Sequence, residues 1–169
     1  MSDLRKELET ASYSCDISKI AEILAEGADI NELEHGDTVL TDTISHLFDH
    51  PRRYEIVKFL LDKGADPNLG EEGCGPLFQA ILHMDAEMIE LLCTHGANPN
   101  LDIEGEALYD YAIFDYDYEI YDLKLPEDSN EDDEKDEDSW LGYLQRLAEK
   151  YNNKEPKHLF VLRKFGAKS

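Results

Sequence analysis

Gly27-Ala28-Asp29-Ile30-Asn31 (GADIN), Gly64-Ala65-Asp66-Pro67-Asn68 (GADPN) and Gly96-Ala97-Asn98-Pro99-Asn100 (GANPN) are nearly the same five residues written three times, 37 and 32 positions apart. Self-similarity at such a period marks a chain built from stacked units, each too small to bury its own apolar face. What stands before and after each copy identifies the unit.

Before each glycine, apolar residues recur at helical spacing: Ile20, Ile23 and Leu24; then Ile56, Val57, Phe59, Leu60 and Leu61; then Met88, Ile89, Leu91 and Leu92. Recurrence at i, i+3 and i+4 is the apolar stripe of a helix, and glycine supplies the left-handed backbone that ends one. After each closing Asn comes a polar, glycine-containing turn and then a second helical run. The clearest is Gly75-Pro76-Leu77-Phe78-Gln79-Ala80-Ile81, with proline in the first turn, where a helix tolerates it. The unit is turn, helix, turn, helix, glycine stop. No apolar segment alternates strictly over a strand's length, so the spacing predicts an all-α solenoid of helix pairs.

On these residues the chain resembles the ankyrin repeat, whose period is about 33 residues. "GPLFQAI" at 75–81, "TVLTDTI" at 38–44 and, more loosely, "EALYDYA" at 106–112 match the motif's opening. "YEIVKFLLDKGADPN" at 54–68 and "AEMIELLCTHGANPN" at 86–100 match its second helix and exit, and the likeness covers about residues 4–114. The motif's histidine is replaced by Thr41, Phe78 and Tyr109, which removes the hydrogen bonds that tie neighbouring turns in the family. Extra residues in the 37-residue interval are expected near "FDHPRR", 48–53.

The closing "LFVLRKFGAKS" repeats the helix and its stop at Gly166, 70 positions after Gly96, or twice 35. On that arithmetic the chain is one domain, 1–169, of about five ankyrin-like helix pairs: 1–31, 32–68, 69–100, 101–126 and 139–169, the last units irregular. Residues 118–125 echo 54–61 and are expected to form the fourth unit's second helix, stopped by Pro126. Residues 127–138, "EDSNEDDEKDED", hold no apolar side chain and are expected to be a solvated loop. Residues 140–151 and 156–165 then form the closing pair.

With 16 Lys and Arg against 39 Asp and Glu, the net charge is −23: −17 over residues 1–114, −11 over 115–138 and +5 over 139–169. Such a surface repels phosphate backbones and anionic membranes, so direct nucleic-acid or membrane binding is not expected and basic proteins are the favoured partners. No apolar run reaches the roughly 18–20 residues that span a bilayer. The charged start, MSDLRKELET, does not read as a secretory signal, and Cys15, Cys74 and Cys93 lack CxxC spacing. A cytoplasmic protein with free thiols is expected.

Catalytic and cofactor signals are thin. His46 and His50 stand four apart but are followed by Pro51, without the glutamate of a metalloprotease motif. "DYDYE" at 115–119 and "DSNED" at 128–132 place carboxylates as calcium loops do, yet Ile120 and Asp133 occupy the position that requires glycine. No enzyme, metal or cofactor is expected.

Residues that stacking does not need are the candidate binding residues. The turns carry Glu32, Glu34 and Asp37, then Glu71 and Glu72, then Asp102, Glu104 and Glu106, with no Lys or Arg among them. Such a row is either a solubilising edge or a set of carboxylates that steers a basic partner. Five of the nine tyrosines fall between Tyr109 and Tyr121; Tyr111 and Tyr118 are expected to pack inside, and Tyr109 and Tyr116 to anchor a partner. The resemblance implies a non-enzymatic protein-interaction module, comparable to small acidic immunity or antitoxin proteins or to adaptors. The alternative is a nucleic-acid mimic that fills the binding groove of a nuclease or other DNA-binding protein.

Overall fold

The computed structural model describes residues 3–71, 74–103, 105–121, 129 and 132–168, with backbone alone at 118–121. Its helices are α1 (Asp3–Tyr13), α2 (Ile17–Ala25), α3 (Val39–His46), α4 (Arg53–Asp62), α5 (Pro76–Leu82), α6 (Ala86–Thr94), α7 (Leu108–Tyr121), α8 (Glu137–Tyr151) and α9 (Lys157–Lys164). Two short strands, β1 (Asp102–Ile103) and β2 (Glu106–Ala107), form one hairpin. Local chemistry sets the starts: the Asp16, Thr38 and Asp85 side chains cap α2, α3 and α6, and Pro76 opens α5.

First helices stack on first helices, α1 on α3, α3 on α5 and α5 on α7; second helices do likewise, α4 on α6 and α6 on α9. The core runs between the two layers through Leu8, Ile23, Leu40, Leu60, Leu77 and Leu92. The connection at 47–52 is longer than that at 83–85, which is where the first interval gains its extra residues.

Each position of the repeated pentapeptide has its own task. Gly27, Gly64, Gly96 and Gly166 lie at φ between 89° and 100°, where a side chain would be strained. The alanine after each is turned inward, and its N–H closes the helix: Ala65 donates to the Leu60 carbonyl, Ala97 to Leu92 and Ala167 to Leu162, each at 3.0 Å. The Asp29, Asp66 and Asn98 side chains accept from the N–H two residues on, at 2.9, 2.9 and 3.0 Å. The closing asparagine reaches the next unit. Asn31, Asn68 and Asn100 donate to the carbonyls of Gly64, Gly96 and Gly166 at 3.1, 3.0 and 3.0 Å, and Asp66 and Asn98 donate back to Asn31 and Asn68. These amides tie unit to unit without the family's histidine.

The third staple shows how the last described helices pair. Asn100 skips the whole 101–165 stretch to reach Gly166, and α9 packs on both α6 and α7. The fourth pair is therefore α7 with α9, and the described helices form four pairs plus α8, which is inserted between the members of the last. Nor does a second helix begin at 118. Residues 108–121 hold no glycine or proline, and the inward positions Tyr109, Ala112 and Tyr116 keep a helical phase, so α7 runs on unbroken to Tyr121. Residues 122–125 and Pro126 lie outside the described residues.

The expected loop at 127–138 is corrected in part. Residues 127, 128, 130 and 131 lie outside the described residues, but α8 already starts at Glu137, capped by Asp136, whose Oδ1 accepts the Ser139 N–H at 2.8 Å. Asp133 is buried and paired with Arg146. Glu137 and Asp138 meet Arg163 of α9 at 2.5 and 3.1 Å, while beyond the other end of α8 the Tyr116 hydroxyl donates to the Lys154 carbonyl at 2.6 Å. Thus α8 lies antiparallel to α9 and, through buried Leu141, Leu144 and Leu147, closes the end of the stack.

Candidate interaction surface

The first finger is a two-residue hairpin turn. Glu34 and Asp37 exchange both backbone hydrogen bonds, at 2.9 and 3.0 Å, and the central residues His35 and Gly36 have φ of 51° and 90°. Gly36 is required twice over, because an added Cβ would also stand 2.9 Å from Glu71 Cβ. The second finger leans on the first, with the Glu71 N–H donating to the Gly36 carbonyl at 3.0 Å. In the third, β1 and β2 pair Asp102 with Ala107 and Ile103 with Glu106.

Glu71, Asp102 and Glu106 are exposed at the finger edge, and Glu32, Glu34 and Asp37 are half-buried. Glu72 and Glu104 lie outside the described residues. The acid is concentrated enough to act on itself: burial pushes the Asp37 carboxyl up, and the Asp42 and Glu71 carboxylates push it further, against the pull of Arg5. Burial and then the Glu137 and Glu106 carboxylates raise Asp110 on α7 in the same direction. Beneath the first finger, Arg5 is 1% exposed; its guanidinium meets Asp42 at 2.7 Å and donates to the Glu32 carbonyl at 3.3 Å. That buried arginine, which sequence reasoning missed, ties α1 to the finger and to α3.

The tyrosine expectation is reversed. Tyr109 and Tyr116 are 0% and 1% exposed, so they are core residues with no surface to offer a partner. Arg163 lies over the Tyr109 ring, and Tyr116 packs beside His158. Tyr111, expected inside, is half-buried with its ring edge against Phe78, centroids 6.1 Å apart; the side chain of Tyr118 lies outside the described residues. The reason is helix phase. Positions 109, 112 and 116 share the inward face, which puts Asp110 and Phe114 on the opposite one. The signal was available in the small Ala112 between two tyrosines.

His46 stacks on Tyr13 with ring centroids 3.9 Å apart, and His50 Nδ1 stands 3.5 Å from Cys15 Sγ. Burial pushes the Cys15 thiol up, and the Cys93 thiol to about 11, the opposite of what a nucleophile needs. Among the described residues no group of three or more His, Cys, Asp and Glu is placed to hold a metal, and no helix is long and apolar enough to cross a membrane.

A family model described as ankyrin repeats (3 copies) matches residues 8–103 and again 50–125. The chain belongs to the ankyrin-repeat family. No curated protein matches it. Ankyrin repeats are generally protein-protein interaction modules, and as a class they bind rather than catalyse. In this ankyrin-repeat chain the matched stretch ends at residue 125, past α7 but before α8 and before the α9 that completes its last repeat.

Proposed function

We propose that this ankyrin-repeat protein binds a basic protein along its finger edge and masks the surface it covers, as an immunity protein or an adaptor would. The observation that carries this reading is the crowding of carboxylates at the edge: burial, then the Asp42 and Glu71 carboxylates, hold the Asp37 carboxyl above its ordinary value against the pull of Arg5. A partner's Lys or Arg would relieve that crowding. Aligned carboxylates on three successive fingers also create a field that steers a cationic partner into one orientation.

The test is kinetic. With a partner captured from the native source and purified, Glu71→Lys with Glu106→Lys should slow association about tenfold and flatten its salt dependence, because exposed rim charges act on encounter. Unchanged association rates would overturn the proposal. Excess duplex DNA resolves the manner of binding: displacement in proportion to DNA affinity would mark a nucleic-acid mimic, and no displacement would mark a partner surface distinct from a DNA groove.

A further inference from the structure

Three large apolar side chains are exposed along successive first helices, away from the acidic fingers: Phe48 just past α3 (42%), Leu82 ending α5 (44%) and Phe114 midway along α7 (67%). They form a row. The Phe48 ring stacks on His83, the neighbour of Leu82, with centroids 4.2 Å apart. The Phe78–Tyr111 contact sets the register of α5 against α7, so Leu82 and Phe114 each lie about one turn further along their parallel helices. Asp110, one turn before Phe114, is exposed on the same face of α7.

The fingers that precede α5 and α7 thus carry the Glu71 and Glu106 carboxylates, and the helices that follow expose Leu82 and Phe114. Phe114 stands about 9 Å along α7 from Leu108, beyond which β2 and Glu106 begin, at the usual rise of about 1.5 Å per residue. We infer that this face seats a basic segment of another protein that carries a large aliphatic or aromatic side chain. The apolar side chain rests on Leu82 and Phe114. Its Lys or Arg residues, about four extended residues away, meet Glu71 and Glu106. This inference rests on the basic-partner reading and deepens it by naming the second element of recognition. A second copy of the chain is a poor occupant, since it too carries −23 and would set finger against finger.

The experiment selects a random peptide library displayed on phage against the whole protein at physiological salt. Selected peptides should combine Lys or Arg with Leu, Phe or Trp a few residues away, and should lose about tenfold in affinity on a Leu82→Ser/Phe114→Ser protein. Both positions are exposed, so the melting temperature should hold; Phe114→Ser alone supplies the same readout if the double variant melts early. Basic peptides without apolar enrichment, or affinities equal on wild type and variant, would overturn the inference while leaving the finger-edge proposal standing. A selection with no basic enrichment, or none at all, would overturn both. A wild-type dimer that dissolves on Phe114→Ser would assign the face to self-association and overturn this inference alone.

Discussion

The first three repeats and the fourth obey the same interface chemistry with opposite chain economy. From α1 to α6 each second helix follows its first after a short turn, and each staple spans a few tens of residues, 33 from Asn31 to Gly64 and 28 from Asn68 to Gly96. In the fourth repeat the second helix arrives only after α8, and the staple spans 66 residues. Yet Gly166, Ala167 and Asn100 repeat the hydrogen bonds of the regular exits, with the Ala167 and Asn100 bonds at 3.0 Å as in the third repeat's Ala97 and the second's Asn68. A solenoid interface depends on which faces meet, not on how the chain travels between them.

The comparison breaks most visibly through Leu162, which is buried on α9 as Leu92 is on α6. Leu92→Ala and Leu162→Ala should each cost about 2–5 kcal/mol, from lost transfer energy and an unfilled cavity. If α9 is the true partner of α6, native-state hydrogen exchange in Leu162→Ala should show faster exchange in α6 as well as in α9. Protection of α6 left intact would mean that the last helix leans on the stack without belonging to it.

A smaller, pH-dependent effect is confined to the fourth repeat. Burial pushes the Asp117 carboxyl on α7 up to about 6 from its ordinary 3.8. Folded protein therefore holds more protons there than unfolded protein does, and stability falls as pH rises through that window. His158 on α9 does the reverse. Burial, then Lys154, lowers it to about 4 from 6.5, so stability rises with pH between those values and is lost on acidification. In the wild type the two slopes oppose. Asp117→Asn should raise stability at pH 7 by about 1–3 kcal/mol and leave a steeper loss of melting temperature from pH 6.5 to 4. A lower melting temperature at pH 7 would show instead that the ionised carboxylate has a favourable contact.

The same division governs how much could be read in advance. Helix stripes, stops and turns of the first three repeats were legible because each is a local pattern in which burial, capping and glycine agree. The fourth misled because its own pattern is intact but divided: Gly166 is a genuine stop, and an insertion near one repeat in length made 70 look like two units. The acidic fingers were legible as composition, since charge needs no partner to be counted. Phe114 and Leu82 were not, because exposure of one apolar residue among helical neighbours depends on phase relative to a core that Ala112 and Tyr116 define. Arg5 was not, because its partners Asp42 and Glu32 are distant in sequence.

The smallest expected effect is the sharpest test of equivalence between the regular and the split joint. Asn68 donates to Gly96 at 3.0 Å and accepts from Asn98 at 2.7 Å; Asn100 donates to Gly166 at 3.0 Å. These bonds lie at the surface, so water replaces part of what is lost, and each should contribute about 0.5–1.5 kcal/mol. Asn100→Ala should cost about one such bond although its partner lies 66 residues away, because α7 already holds α9 in place before the staple closes. Asn100→Asp should cost more than alanine, since a carboxylate cannot donate and sets its charge against the Gly166 carbonyl oxygen. Melting temperatures of the three variants in one buffer give the ranking: Asn100→Asp below Asn100→Ala, and Asn68→Ala no higher than Asn100→Ala. A silent Asn100→Ala beside a costly Asn68→Ala would show that the inserted helix has loosened the last joint, and that the fourth repeat shares the geometry of the others without their stability.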